Sequence, residues 1–312
     1  MKINKLWLPL LTVIFINHAA FAFECDSPEK EIFETTDCLY SGRAIVMDDK
    51  TQKVGFVDEK GEVAIPLIYD DGHRFSEGLA SVYLKGRVGV INTLGEVVVP
   101  FKYDRITLFS EGFASIYFKG KAGIINNLGE IVVPFEYDYI APFSERLAGA
   151  KKGKKMGYID SMNNIVIPFT YDQTDKFSEG FGSVKLNDKW GFIDRVGKVV
   201  IPIKFEGLGD FQEGYVALLT NNKFGFVDTK GDVVISPKYQ YAFRFSESLA
   251  RASIDDKWGY INKLDDIIIP FKYDYATDFK NGLATVTVNE QKFIILRLTH
   301  EVQYQMRGEK KT

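Results

Sequence analysis

The sequence predicts an all-β protein built as a tandem array, and three observations predict it. A glycine recurs at Gly55, Gly89, Gly123, Gly157, Gly191, Gly225 and Gly259, with every gap 34 residues. Short β-branched and aromatic runs, such as Val97-Val98-Val99 and Ile267-Ile268-Ile269, carry the signature of strands. Each unit also holds a proline and several glycines at fixed places, which excludes the helical repeats that share this period.

Other positions keep the same step. Proline closes an apolar run at Pro66, Pro100, Pro134, Pro168, Pro202 and Pro270, while Ser236 takes that slot in the remaining copy and Pro237 follows. An aromatic stands three residues later, from Tyr69 through Phe205 to Tyr273. Phenylalanine then recurs at 75, 109, 143, 177, 211, 245 and 279, usually followed by Ser-Glu-Gly.

One unit divides into three strands. Leu79-Ala80-Ser81-Val82-Tyr83-Leu84 forms the first, Gly86 turns the chain, and Val88-Gly89-Val90-Ile91 forms the second. The loop Asn92-Thr93-Leu94-Gly95 follows, and its last position holds only Gly, Asn163 or Asp265, the residue types that tolerate positive φ. Glu96 to Val99 forms the third strand, which Pro100 is expected to stop because proline donates no ladder bond. Tyr103 to Gly112 links to the next unit.

About eight three-stranded antiparallel meanders therefore fit the chain, from about Gly42 to a degraded last copy beginning at Leu283. A single meander is marginal alone. Each must bury a face against its neighbours, so stability sums over nearest-neighbour contacts. The recurring Phe and Tyr are expected in the seam between units, where burial of one ring contributes roughly 1.5–3 kcal/mol.

Lys189-Trp190-Gly191-Phe192-Ile193-Asp194 and Lys257-Trp258-Gly259-Tyr260-Ile261-Asn262 resemble the bacterial WG-repeat, or KWG-repeat, family. The other units match with the tryptophan replaced, as in Lys53-Val54-Gly55-Phe56-Val57-Asp58. The resemblance covers about Gly42 to Leu296 and implies an interaction-type repeat with no shared catalytic residue set. Propeller blades usually have four strands and about 40–45 residues, more than this period allows. Both ends also read as caps. The expectation is an open, solenoid-like superhelix, with a closed propeller-like ring as the alternative.

The ends add compartment signals. Lys2 and Lys5 precede the apolar stretch Leu6 to Ile16, and Ala20-Phe21-Ala22 is a cleavage motif, so residues 1–22 read as a signal peptide. The apolar run is shorter than the roughly 20 residues a spanning helix needs, and no later segment is apolar enough to cross a membrane. Residues 23–41 form an N-terminal cap containing the two cysteines, Cys25 and Cys38, which an oxidising compartment would pair. Residues 42–303 are the array and residues 304–312 a charged tail. The expected location is periplasmic or secreted.

Composition narrows the chemistry. The formal charge of −3 lacks the basic surplus that nucleic-acid binding requires. Past the leader only His73 and His300 remain, with no metal-ligand spacing around them, and no phosphate or dinucleotide fingerprint occurs. No cofactor or metal is expected.

Two acid ladders run through the array. Asp70, Asp104, Asp138, Asp172 and Asp274 form one, and Glu77, Glu111, Glu145, Glu179, Glu213 and Glu247 the other. A hydrolase needs one differentiated carboxylate pair. Identical recurrence points instead to structural work, such as accepting backbone N–H groups in the linker turns. A basic ladder, Lys53, Arg87, Lys121, Lys155, Lys189, Lys223 and Lys257, either pairs with an acid ladder, covers aromatic surface or forms an anion-binding ridge.

The expected function is non-enzymatic: a binding or scaffold module for a protein or polysaccharide of the cell envelope. Specificity would lie where the repeat is broken, at Lys151, Lys152, Lys154 and Lys155 in one turn and at Trp190, Phe224 and Trp258. The alternative is a carbohydrate-active or cell-wall hydrolase.

Overall fold

The computed structural model describes residues 26–30, 33 and 37–297, and the backbone of 307–308. The proposed leader, Cys25 and most of the tail lie outside them. Eight antiparallel sheets follow one another along the described chain, and no helix is present there. The first has three strands, Ala44–Met47, Val54–Val57 and Val63–Tyr69. The other seven have four. In the second sheet these are Asp71–Gly72, Leu79–Leu84, Arg87–Asn92 and Val97–Tyr103, hydrogen-bonded in that order. The meander is as predicted, and the linker adds a short fourth strand on its open edge. In the fifth and seventh sheets that strand lengthens to Gln173–Ser178 and Tyr241–Ser246. The eighth ends with Arg307–Gly308 paired to Phe293 and Ile294, so part of the expected tail belongs to the array.

The proline does not stop the strand. Val97–Tyr103 runs through Pro100 because the register jumps from Val90↔Val99 to Val88↔Tyr103. The outer strand bulges there, and the missing proline N–H falls where no ladder bond is due. This bulge also explains the defining glycine. A Cβ on Gly191 would lie 2.6 Å from the Ile201 carbonyl oxygen, and a Cβ on each of the other six ladder glycines would strike the equivalent carbonyl. The middle strand must therefore carry glycine opposite the bulge.

The seams are built as expected. Phe75 of the second unit meets Phe56 of the first edge-on with ring centroids 4.8 Å apart. Tyr158–Phe177, Phe192–Phe211, Phe226–Phe245 and Tyr260–Phe279 repeat that contact at 4.8–4.9 Å. Seven core clusters each draw on two consecutive sheets, as when Val90, Val99 and Tyr103 pack with Ile106, Phe109 and Ile116.

The array is open. Its N-terminal end is covered by Phe33 and Leu39, which pack on Ala44, Val46 and Val57. At the other end Ile294 stands in the column of Phe56, Val90, Ile124, Tyr158, Phe192, Phe226 and Tyr260. Those seven are buried, whereas Ile294 is 39 % exposed. Among the described residues no core cluster or ring contact joins the last sheet to the first.

Candidate functional site

The ionisable ladders are occupied by the fold. Lys53 Nζ lies 2.5 Å from Asp70 Oδ1, and Lys121–Asp138, Lys155–Asp172 and Lys257–Asp274 repeat the pair at 2.6 Å; Arg87 and Asp104 pair likewise. Each aspartate also accepts a backbone N–H from the tight turn of its own sheet, as Asp70 does from Lys85 at 2.5 Å. The lysine hydrogen bond, reinforced by that backbone N–H, holds Asp70, Asp138, Asp172 and Asp274 below the usual aspartate range. The glutamates stitch units together. Glu77 accepts the Gly112 N–H, and Glu111 accepts those of Glu145 and Arg146, each at 2.8 Å. The structural reading of both acid ladders thus holds, and the pairing reading of the basic one holds at five of its seven positions, Lys189 and Lys223 being the exceptions. No cluster of three or more metal-ligating side chains occurs among the described residues.

The lysine-rich turn does not form a ridge of four free cations. Lys152 pairs with Glu136 at 2.9 Å and lies over the Tyr137 ring, and Lys155 belongs to Asp172. Lys151 and Lys154 remain exposed on either side of Gly153.

Trp190, Phe224 and Trp258 occupy one column, immediately before the ladder glycine. In the first three units that column holds buried Val54, Val88 and Ala122; from Met156 onward its residues are partly exposed. The structure interleaves it with a second column, the residue 17 positions later on the short first strand. The Phe224 and Tyr241 ring centroids are 6.2 Å apart, and Tyr241 stacks on Trp258 at 6.0 Å and 18°. Phe243 flanks Trp258 at 5.8 Å. The Arg251 guanidinium lies 3.7 Å from the Phe243 ring centre, 5.5 Å from Trp258 and 6.0 Å from Tyr275. Its Nε donates to Asp278 Oδ1 at 2.7 Å and its Nη1 to the Ala276 carbonyl at 2.7 Å. Tyr241, Phe243 and Tyr275 are 50 %, 41 % and 49 % exposed. The result is an exposed aromatic stripe braced by a buried-stem arginine, a surface suited to stacking against flat ligand faces.

Sequence reasoning found Phe224 and Trp258 but missed Tyr241, Phe243, Arg251 and Tyr275. The available signal was the half-period: 190, 207, 224, 241, 258 and 275 are spaced by 17, as are the lysine–aspartate pairs. Trp190 stands apart from the stripe because its next rung is Gly207.

Stacked antiparallel sheets, seven of the eight with a glycine forced into the middle strand, define an open β-repeat protein. The chain belongs to the WG-containing repeat family, whose model matches residues 55–87, 89–121, 123–155, 156–190, 190–224, 224–258 and 258–291. No curated protein matches it by sequence. A solved eukaryotic initiation factor is similar over 91 % of this chain and 90 % of its own, at 12 % identity and a TM-score of 0.55, a likeness of fold alone. Kluyveromyces lactis Hsv2p (8 % identity, 77 % of this chain and 97 % of that one) has a TM-score of 0.43. The dihydro-heme d1 dehydrogenase NirN in complex with DHE (11 % identity, 86 % and 74 %) has one of 0.40.

Proposed function

We propose that this protein is an exported binding or scaffold module, without catalytic activity, for a protein or polysaccharide of the cell envelope. One observation carries the reading. Most of the recurring ionisable groups are spent on internal pairs and seams, while exposed aromatic departures from the repeat gather into the Phe224–Tyr241–Trp258 stripe with Phe243 and Tyr275. Export to the periplasm or beyond follows from the Lys2, Lys5, Leu6–Ile16 and Ala20-Phe21-Ala22 pattern. The proposed Cys25–Cys38 bridge belongs to the same compartment.

The test is to incubate the purified chain with envelope extracts and polysaccharides, measuring retention and turnover together. Retention without turnover, reduced in Trp258→Ala, is expected. Turnover abolished by a single Asp or Glu substitution would show a hydrolase instead. The expected mature N-terminus is Phe23, and a chain recovered uncleaved from the cytoplasm would overturn the export reading.

A further inference from the structure

The 17-residue alternation has one missing rung. Gly207 occupies the position that Tyr241 and Tyr275 hold in later units, between Trp190 and Phe224. Its backbone does not require glycine. Its φ is not positive, and an added Cβ would meet only the Leu219 side chain, at 3.5 Å, an ordinary contact. Leu219 lies beside both Gly207 and Phe224 in the sheet register, where the seventh unit has the small Ser253. The seat thus has an apolar floor. On the walls, Phe224 meets a ring only on its far side, at Tyr241, and Trp190 meets no other ring among the described residues, with Lys185 Nζ 5.9 Å from its ring centre.

A second, independent irregularity falls at the same two units. The ladder cation is paired with an aspartate 17 residues on in the other five units. Lys189 faces Glu206 in that slot and Lys223 faces Gln240, which is bonded to Asp256 instead. Both lysines are exposed and make no ion pair among the described residues.

We propose that an acidic polysaccharide of the uronate type binds across the fifth and sixth units, with one sugar ring seated at Gly207 between Trp190 and Phe224 and its carboxylates met by Lys189 and Lys223. This rests on the binding-module reading. A pyranose ring offers an apolar C–H face that fits the electron-rich face of an aromatic side chain. A linear row of rungs suits a linear polymer, and the two unmatched cations select an anionic one. Single-stranded nucleic acid also stacks on aromatics, and tighter binding of it than of a uronate would overturn the assignment.

The experiment is titration of the full chain with polygalacturonate, polymannuronate, methyl-esterified polygalacturonate, polyglutamate and single-stranded DNA. At least one free uronate is expected to bind, and the ester at least tenfold more weakly. Gly207→Tyr restores the missing rung, keeps the melting temperature, and is expected to weaken uronate binding at least tenfold; Trp190→Ala does the same by removing a wall. The double variant Lys189→Ala/Lys223→Ala is expected to bind the free acid no better than the ester. Undiminished binding in Gly207→Tyr and Trp190→Ala, equal binding of the ester, or tighter binding of polyglutamate or DNA would overturn the proposal. If envelope extracts yield a retained component but no uronate binds, the proposal fails and the binding-module reading stands. If nothing is retained, both fail.

Discussion

Glu111, on the linker after the third sheet's first short strand, accepts the backbone N–H of Arg146 at 2.8 Å, 35 residues further along the chain. Its other oxygen takes the N–H of Glu145 at 2.8 Å. Glu179 treats Glu213 and Gly214 the same way at 3.0 Å, and Glu247 holds the Gly282 N–H. The glutamate itself adopts positive φ, 55° at Glu111, which turns its carboxylate toward the next unit. One residue per unit thus fixes the spacing of consecutive sheets through charge-assisted bonds to backbone donors.

Replacing Glu111 by alanine leaves two linker N–H groups to water. Because the carboxylate is exposed, the expected loss is about 1 kcal/mol, at the low end for a hydrogen-bonded charge. Thermal denaturation checks it, with Lys154→Ala, an exposed lysine elsewhere on the array, as the reference expected to change nothing.

The ladder glycine predicts a larger effect for a smaller change. In Gly191→Ala the new methyl lies 2.6 Å from the Ile201 carbonyl oxygen and 2.7 Å from Ile203 Cα, both backbone on the neighbouring strand. Neither can move without opening the bulge, so the cost is about 2–3 kcal/mol, as for an overpacked core. Gly207→Ala meets only a flexible leucine and is expected to stay within about 0.5 kcal/mol of the parent. Urea denaturation of the two variants distinguishes a steric demand for glycine from a general intolerance of alanine.

The repeat period, the three long strands and the seam aromatics are all readable from the sequence because each recurs at fixed spacing. Positive φ at Asn163 and Asp265 was equally readable from residue type. In those two units the side chain also caps the preceding tyrosine: Tyr137 Oη donates to Asn163 Oδ1 at 2.7 Å and Tyr239 Oη to Asp265 Oδ1 at 2.5 Å. The proline misled because its effect depends on the partner strand. At a bulge no ladder bond is asked of it, and sequence alone does not show the register. The short fourth strand of two residues, such as Arg105–Ile106, carries no periodicity of its own. The aromatic stripe was only half visible, since its rungs alternate between two columns from consecutive units that meet only once the sheets are stacked.

The lysine–aspartate ladder predicts an acid-sensitive stability. Asp70, Asp138, Asp172 and Asp274 titrate below the ordinary aspartate range because a lysine, and then a backbone N–H, bind the ionised form. Carboxylates depressed on folding contribute stability that is present above their unfolded value and lost as pH falls through the folded one. Melting temperature is therefore expected to be flat from neutral pH to about 5 and to decline below about 4. The side chains are exposed, so added salt should reduce the contribution of the pairs near neutral pH. The variant Asp138→Asn should show a shallower acid decline, measured by calorimetry across pH.

Phe177 tests whether the units depend on one another. Its ring is 1 % exposed and meets Tyr158 of the preceding sheet edge-on at 4.8 Å. The same ring presses on Gly182, where a Cβ would lie 2.8 Å from Phe177 Cζ, so it fills the seam from both sides. Phe177→Ala empties that space at a cost of about 3–5 kcal/mol. In an array with one continuous core per pair of sheets, that loss falls on a single interface. The fourth and fifth sheets should then lose amide-exchange protection first, while the core of the first and second, built on Phe56, Ile65 and Phe75, keeps it. Uniform loss of protection along all eight sheets would mean that the chain unfolds as one cooperative body. In that case the nearest-neighbour account of its stability would fail, even with every seam contact in place.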